Sequence, residues 1–448
     1  MDTPICDFVR RYAQSGTLRL HMPGHKGTGP LGIEQLDITE ISGADSLYEA
    51  SSIIAQSEEN ASWLFGCPTF YSTEGASQCI RAMVYLAMLH AKAQGKQPVI
   101  AAARNVHKTF LSAAALLDLQ VDWLYPEDDT AYFCCNITAD SLEAYFTACA
   151  VTPAAVYVTS PDYLGNLLDV AALAQVCHRH GALLLVDNAH GAYLHFLSPS
   201  RYPIDLGADL CCDSAHKTLP VLTGGAYLHI NPAAPELFVR QAKNALALFG
   251  STSPSYLILQ SLDAANGVLA DPNYIRSLNA LRVQLDDCRT QLSRHGISAS
   301  YGIYEPLKLT LYPRQYGYTG TELADHLRQH GIECEFADPD FLVLMATPAI
   351  SAEDLQRLVD TLTSLPRRNP VQTMPPRIPR PETVLSIRDA MFSPCRTIPV
   401  SESLGRILAS PSVSCPPAVP ILVCGERIDE TAIACFQYYG IETCTVVE

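Results

Sequence analysis

Two charged residues stand where apolar segments end, a position in which a charge is costly without a partner. Asp187 closes the run ALLLVD (182–187), and Lys217 follows ADLCCDSAH (208–216). A buried carboxylate is stabilised by a nearby cation, and both runs have the composition of strands. If both strands end at one edge of a sheet, the two residues meet at one site. Taken singly, Asp187 fits a structural ion pair and Lys217 a surface lysine.

The segment STEGASQ (72–78) precedes an amphipathic helical pattern. A glycine with hydroxyl-bearing neighbours at a helix start offers backbone N–H groups to an anion, and the helix dipole favours phosphate there. An ordinary helix N-cap is the alternative interpretation. Together, a phosphate site, a strand-end aspartate and a strand-end lysine are the three elements that hold pyridoxal phosphate. The aspartate binds the pyridine nitrogen, and the lysine makes the covalent link.

Short apolar runs and helical patterns alternate between about residue 60 and residue 265. The runs that predict strands are 98–103, 154–160, 182–190, 208–214 and 224–230. Such alternation indicates an α/β fold with a mainly parallel sheet and helices on both faces. Ligands in such folds bind at the carboxyl ends of the strands. The elements therefore place Asp187 and Lys217 where chemistry is expected.

The sequence predicts four regions. They are an N-terminal arm (1–30), a large cofactor-binding domain (31–265), a small α+β domain (266–370) and a short C-terminal domain (371–448). A proline-rich stretch, VQTMPPRIPRPE, predicts the connector to the last domain. The block CPPAVPILVCGERI (415–428) predicts a strand and a turn in this tail.

Composition excludes several classes of protein. The formal net charge of −16 disfavours a nucleic-acid partner, which needs a basic surface. No apolar run approaches the roughly 20 residues of a membrane helix, and the N-terminus lacks an export signal, so we expect a cytoplasmic protein without a membrane partner. Sixteen cysteines without any C-x-x-C spacing predict buried, reduced thiols and no metal site.

The chain resembles the pyridoxal-phosphate-dependent Orn/Lys/Arg decarboxylases of fold type I, the aspartate aminotransferase-like fold. The resemblance rests on ordered blocks along nearly the whole chain: LRLHMPGHKG, FGCPTFYSTEGASQ, ARNVHKTF, SPDYLGNLLDV, VDNAHGAYLHF, DSAHKTLPVLTGG, STSPSYLILQSLDAAN and CPPAVPILVCGERI. Larger family members carry a receiver-like domain ahead of the HMPGHK block, and we expect this short form to lack it.

The resemblance implies a role for each matching residue. Lys217 would bind the cofactor covalently, Asp187 would hold the pyridine nitrogen protonated, His107 would stack on the ring, and His190 would lie near its edge. Together these four would be the catalytic residues. The implied cofactor contacts are Gly75, Ala76, Ser77, His107, Asp187, Ser214, His216, Lys217, Ser251, Thr252 and Ser253. For His107, a capping or core role is the alternative.

The implied activity is decarboxylation of lysine, ornithine or arginine to an amine and CO₂, in polyamine biosynthesis. Because a buried cation needs a partner, the distal group of the substrate should meet a carboxylate. Glu426 is the first choice, since an acid in that apolar block has little structural use, and Asp45 and Asp162 are further candidates. Ser251–Ser253 would reach the phosphate from a second subunit, which implies a homodimer with shared sites.

Two alternatives stay open. An aminotransferase would need a cationic clamp for the α-carboxylate, for which Arg314 is the candidate. An inactive regulatory homologue is the other. Two positions of the phosphate loop depart from the family pattern, because Glu74 stands where an amide is expected and Ala76 where a hydroxyl is usual.

Overall fold

The computed structural model describes residues 1–126, 131–300, 303–411 and 417–448. The chain divides into two compact units. The first comprises 1–98, 152–157 and 170–276, and the second comprises 99–151, 158–169 and 277–448. Within the described residues, no helix has the length and apolar character needed to cross a membrane.

Seven strands form the central sheet: β1 (Thr69–Ser72), β2 (Val99–Ala103), β3 (Gln120–Leu124), β4 (Ala155–Thr159), β5 (Leu183–Asp187), β6 (Leu210–Asp213) and β7 (Ala226–Ile230). Their order is β1-β7-β6-β5-β4-β2-β3. β2 pairs with β3 in parallel, as β5 does with β6, whereas β7 is antiparallel to β6 and to β1. The predicted mainly parallel α/β sheet is confirmed. All five runs predicted as strands lie in it.

Continuous burial explains why β5 is so easily recognised in the sequence. Every residue of this strand is buried, as expected for a strand covered on both faces. Its pairing with β6 sets Asp187 opposite Cys212. The two strands therefore end at the same edge, which carries the residues of the site.

Fourteen α-helices lie in the described residues: α1 (Pro4–Gln14), α2 (Ile53–Phe65), α3 (Gly75–Ala93), α4 (Lys108–Leu117), α5 (Ala139–Ala148), α6 (Val170–Arg179), α7 (Ala215–Thr218), α8 (Glu236–Ala247), α9 (Tyr256–Leu269), α10 (Pro272–His295), α11 (Gly320–Gln329), α12 (Ala352–Thr363), α13 (Ile387–Phe392) and α14 (Glu430–Tyr438). In the first unit α3 packs on β6, β7 and α8.

The second unit contains two small sheets. An antiparallel sheet has the order β10-β11-β9-β8 and consists of β8 (Ser298–Ala299), β9 (Lys308–Tyr312), β10 (Phe336–Ala337) and β11 (Leu342–Met345). Its core includes residues of α10, α11 and α12. A three-stranded sheet, β12-β14-β13, consists of β12 (Cys395–Pro399), β13 (Leu408–Ser410) and β14 (Thr443–Val447).

The tail block 415–428 departs from the prediction. Residues 412–416 lie outside the described residues, and 417–428 form turns with isolated bridges at Glu426 and Arg427 rather than a strand. Pro417 and Pro420 provide no backbone N–H for a strand ladder. The predicted strand is therefore wrong, and the tail sheet is built from residues on either side of this block.

Candidate active site

Lys217 and His190 meet at the carboxyl edge of the central sheet. Lys217 lies in the short helix α7, which follows β6, and His190 lies just after β5. The Lys217 Nζ is 3.0 Å from the His190 Nε2. His190 is buried and Lys217 half-buried. This contact joins an amine to a base at hydrogen-bond distance, so a proton can pass between them.

Asp187 is the buried carboxylate of this edge, with 2% of its surface exposed. Its Oδ2 accepts a hydrogen bond from the Tyr157 hydroxyl at 3.1 Å, and its Oδ1 accepts one from the Ala189 N–H at 3.2 Å. Burial raises the pKa of Asp187, while the positive charge of Lys217 and these hydrogen bonds oppose the rise. A cation bound beside Asp187 would therefore be strongly stabilised.

The sequence interpretation missed a second layer of polar residues behind this edge. Asp213 accepts hydrogen bonds from the Asn188 Nδ2 at 2.7 Å and the Tyr202 hydroxyl at 3.1 Å, and the His229 Nε2 lies 3.1 Å from it. These residues are buried. Polar side chains inside apolar strands, such as His229 in AYLHI, were the available signal. The layer holds Asn188, the residue that follows Asp187.

The predicted phosphate loop opens α3, as expected. Gly75 has a positive φ of 71°, and a Cβ added there would meet no atom within 4 Å, so space is open at the helix start. The Gly75 N–H already donates to the Gly224 carbonyl at 2.7 Å. The exposed Glu74 carboxylate accepts a hydrogen bond from the Ser251 N–H of the same chain.

The remaining predicted contacts of the first unit lie on the segments that flank Lys217 and in the exposed 251–253 turn. Ser214 is buried at the start of α7. The His216 ring Nδ1 lies 3.0 Å from the Gly225 carbonyl, and burial lowers the pKa of this histidine. Ser251, Thr252 and Ser253 are exposed.

This donor set fits pyridoxal phosphate. A buried carboxylate suits a protonated ring nitrogen, an amine beside it suits the covalent link, and an open helix start suits a phosphate. In the first unit the structure thus brings Asp187, His190 and Lys217 to one edge.

A sequence model of the family described as "Orn/Lys/Arg decarboxylase, major domain" matches residues 3–294, well over half of the chain. The chain belongs to this family. Among curated proteins, the arginine decarboxylase of Halalkalibacterium halodurans is 29% identical, with 96% of this chain and 92% of the relative aligned. The arginine decarboxylase of Bacillus subtilis is 28% identical, with 97% and 92% aligned.

Solved structures show the same fold. The Francisella novicida lysine decarboxylase LdcF matches with a TM-score of 0.80 and 16% identity, covering 99% of this chain and 79% of that one. The Escherichia coli constitutive lysine decarboxylase gives 0.78 and 18%, covering 100% and 82%. A Sphingomonas wittichii serine palmitoyltransferase gives 0.58 and 13%, covering 81% and 83%. This member of the Orn/Lys/Arg decarboxylase family is a pyridoxal-phosphate-dependent amino-acid decarboxylase of fold type I.

The second unit contains three further predicted residues of this decarboxylase, His107, Asp162 and Glu426. His107 is the N-cap of α4: its Nδ1 accepts a hydrogen bond from the Thr109 N–H at 3.2 Å and lies 2.9 Å from the Thr109 hydroxyl. The structure thus shows the capping role that the sequence left as an alternative. Stacking of His107 on the cofactor stays a prediction.

Glu426 has a structural partner, contrary to the expectation that an acid would have little structural use there. It is completely buried, and its Oε2 lies 2.8 Å from the Arg104 Nη2 and accepts the Val423 N–H at 2.7 Å. Burial raises the pKa of Glu426 and Arg104 opposes the rise. Its Oε1 has no hydrogen-bond partner among the described residues. Substrate binding by Glu426 stays a prediction.

The two other candidate acids have both oxygens engaged. Asp45 accepts backbone N–H groups of Ser51, Ser52 and Ile54 and so caps the start of α2. Burial raises its pKa, but these bonds outweigh burial and the net pKa is lowered. Asp162 accepts the N–H groups of Leu164 and Asn166 and the Asn166 side-chain amide. Both acids therefore have clear structural roles.

Proposed function

We propose that this decarboxylase acts on arginine and releases agmatine and CO₂, with lysine and ornithine as the next candidates. The observation that carries the proposal is the contact between Lys217 and His190 beside the buried Asp187. The choice of arginine is supported by the curated relatives, which are named arginine decarboxylases and align over more than nine-tenths of their own length.

Bound pyridoxal phosphate supplies an electron sink for the pair that departing CO₂ leaves on the α-carbon. Asp187 would keep the ring nitrogen protonated, because the hydrogen bonds from Tyr157 and Ala189 favour its charged form. Lys217 makes the covalent link. Decarboxylation consumes a proton, and Lys217 or His190, which lie within hydrogen-bond distance of each other, returns it to the α-carbon.

The cofactor phosphate would be held at the start of α3. Since the Gly75 N–H donates to Gly224, Gly75 contributes the open space, and Ala76 and Ser77 contribute the adjacent amides. Ser214 and His216 lie on either side of the start of α7, close to Lys217 in the chain, and would support the same group. Glu74 places a negative charge next to this position, so its contact with the Ser251 N–H keeps that carboxylate engaged within the protein.

Glu426 is our proposal for the acid that binds the distal cation of the substrate. Of the three predicted acids, it alone keeps a carboxylate oxygen without a hydrogen-bond partner among the described residues. An unpartnered buried carboxylate oxygen is costly and gains from a guanidinium or ammonium group.

We further propose a homodimer with shared sites, serving polyamine synthesis. Ser251, Thr252 and Ser253 are exposed on the single chain, as a segment that meets a second copy would be.

The aminotransferase alternative is weakened by Arg314. Its Nη1 pairs with the Asp340 carboxylate at 2.5 Å and with the Tyr438 hydroxyl at 2.6 Å, so this guanidinium is engaged in a structural pair. The alternative of an inactive homologue is weakened because the chain carries both Lys217 and Asp187, and the charge of Lys217 acts on Asp187.

The test is an incubation of the purified protein and pyridoxal phosphate with arginine, lysine and ornithine, with assays for CO₂, amine and keto acid. We expect CO₂ and agmatine in equal amounts from arginine. Lys217→Ala should abolish turnover, while the matched Lys92→Ala, at a lysine of α3 far along the helix, should not. Borohydride reduction and peptide mapping should place the cofactor on Lys217. Keto acid as product, or cofactor on Lys26, Lys108 or Lys308, would contradict the proposal.

A further inference from the structure

A cavity lined by acidic and aromatic side chains lies in the second unit. Its volume is about 520 Å³, and it is bounded by α11, the β10 region and the end of α14. None of the residues assigned to the cofactor or the substrate lines it. We call it the acidic-aromatic cavity and define it by the carboxylates and rings that line it: Asp325, Glu333, Glu335, Asp338, Tyr438 and Tyr439.

Aromatic rings form one wall of this cavity. Tyr439 packs edge-on against Tyr438 with 5.0 Å between the ring centroids, and against Tyr132 with 4.8 Å. Tyr132 and Phe336 also line the cavity. Aromatic faces attract organic cations through the ring quadrupole, most strongly when water is excluded.

The charges around the cavity are predominantly negative. Arg328 is the one cationic side chain among its lining residues, and it is already paired with Asp325 and with Glu333. Glu335 accepts a hydrogen bond from the Tyr163 hydroxyl at 2.6 Å. Neither Glu335 nor Asp338 forms an ion pair with any residue that the structure describes. Both carboxylates can therefore accept a cation as an ion-pair partner.

Asp338 is the decisive residue of this cavity. Its side chain is 7% exposed, and its Oδ1 accepts the N–H groups of Asp340 at 2.8 Å and Phe341 at 2.7 Å. The Oδ2 is buried and has no hydrogen-bond partner in the described part of the chain. A carboxylate oxygen in this condition is costly until a donor reaches it.

Asp338 and Tyr439 both line this cavity. Burial raises the pKa of the Tyr439 hydroxyl, and the charge of Asp338 is the next cause of that rise. A ligand in the cavity would meet a hydrogen-bond acceptor at Asp338 and an aromatic ring at Tyr439.

We propose that the acidic-aromatic cavity binds an organic diamine or guanidinoamine, with a protonated nitrogen donating to Asp338 and its carbon chain against the tyrosine rings. Agmatine, which carries a guanidinium at one end and an ammonium at the other, is the ligand of this class that the proposed reaction releases. An amino acid is a poorer ligand, because its α-carboxylate would be repelled by the surrounding acids. The identity of the ligand rests on the proposed function, whereas the cavity and its charges do not.

The test uses calorimetry on the holoenzyme after borohydride reduction, so that the bound cofactor no longer reacts with amines. Agmatine, putrescine and arginine are each titrated into the wild-type protein and into Asp338→Asn. We expect agmatine to bind at least about tenfold more tightly than arginine, and Asp338→Asn to weaken agmatine binding by about tenfold or more. Glu353→Gln, at an exposed acid of α12 in the same unit, is the matched control and should bind as wild type does.

If Asp338→Asn fails to fold, Glu335→Gln is tested in its place, and we expect a smaller loss of agmatine affinity. Agmatine affinity that is equal in wild type and in the folded variant, or arginine binding as tight as agmatine binding, would overturn the proposal. Amine binding without any decarboxylation of arginine would instead contradict the proposed function, while the proposal that the cavity binds amines would still hold.

Discussion

The Tyr157 hydroxyl donates a hydrogen bond to the Oδ2 of Asp187 across 3.1 Å, and both side chains are buried. The bond connects β4 to β5 of the central sheet within the first unit. Burial raises the pKa of Asp187, and this hydrogen bond is among the interactions that lower it. Tyr157 therefore acts through Asp187 as a positioning residue.

Tyr157→Phe should reduce kcat by about tenfold and move the acid limb of the kcat/KM profile to higher pH by about one unit. The direction follows because loss of a donor raises the pKa of Asp187, whose charged form is needed. Tyr316→Phe, which removes a buried hydroxyl bonded to the Leu365 carbonyl, should leave the profile unchanged. A tenfold loss of kcat without a shift of the acid limb would indicate a purely structural effect.

Glu426→Gln should raise the KM for arginine while cofactor affinity stays unchanged. It should also destabilise the protein by about 3 kcal/mol, because it leaves Arg104 buried without its carboxylate. The double variant Arg104→Met, Glu426→Gln should recover part of that stability but not the KM, as measured by denaturant unfolding and steady-state kinetics.

Asp45→Ala serves as the comparison for Glu426. It removes the cap of α2 and should lower the free energy of unfolding by about 1 kcal/mol without changing the KM for arginine. A raised KM in Asp45→Ala together with a normal KM in Glu426→Gln would move the distal site to Asp45.

Asp338 should make unfolding stability depend on pH. Burial raises its pKa to about 7, so the folded state binds this proton more tightly than the unfolded chain does. The extra stability that the protonated form of Asp338 gives the folded protein is complete at pH values below the ordinary carboxyl pKa. It is lost as the pH rises towards 7, and the stability does not change further above that pH. Asp338→Asn keeps the acceptor for the two amides and should be more stable than wild type at pH 8, by about 1 to 3 kcal/mol.

The advantage of Asp338→Asn should shrink as the pH falls towards 4. Thermal unfolding of both proteins at several pH values, without added amine, measures the difference. A constant difference between pH 4 and pH 8 would show that the carboxylate does not titrate with a raised pKa.

Mixed dimers test the shared site. Lys217→Ala chains and chains with alanine at positions 251, 252 and 253 should each have little activity. After verified subunit exchange, part of the activity should return, because one of the two sites in a hybrid then has an intact lysine and an intact partner segment. Persistent inactivity would show that each site is built from a single chain.

The central sheet was predictable because its strands are continuous apolar runs that end in turns or polar residues. β5 is buried throughout, so neither its existence nor the position of Asp187 depended on distant partners. The parallel pairing of β5 with β6 then brought Lys217 to the same edge. Local composition was sufficient to predict these strands, because a strand buried on both faces is a continuous run of apolar residues.

Features that depend on distant partners were not predictable. Glu426 was expected to lack a structural use, yet Arg104 pairs with it. In the sequence Tyr157 is one more residue of a predicted strand, and only the structure shows that its hydroxyl bonds to Asp187. The 417–428 segment has a strand-like composition, but its prolines and its bridges to Thr383 and Ile407 give it an irregular path. The local pattern of apolar and polar residues carries no information about these contacts, because the partners are distant in the sequence.

The pair of Arg104 and Glu426 has a consequence for how the protein is made. The two residues are separated by 322 positions, so Arg104 leaves the ribosome on the order of tens of seconds before its partner is synthesised. During that interval the guanidinium cannot be buried in its final position without a large penalty. The second unit should therefore complete its folding only after translation has passed Glu426, and nascent chains halted earlier should be sensitive to proteases and dependent on chaperones.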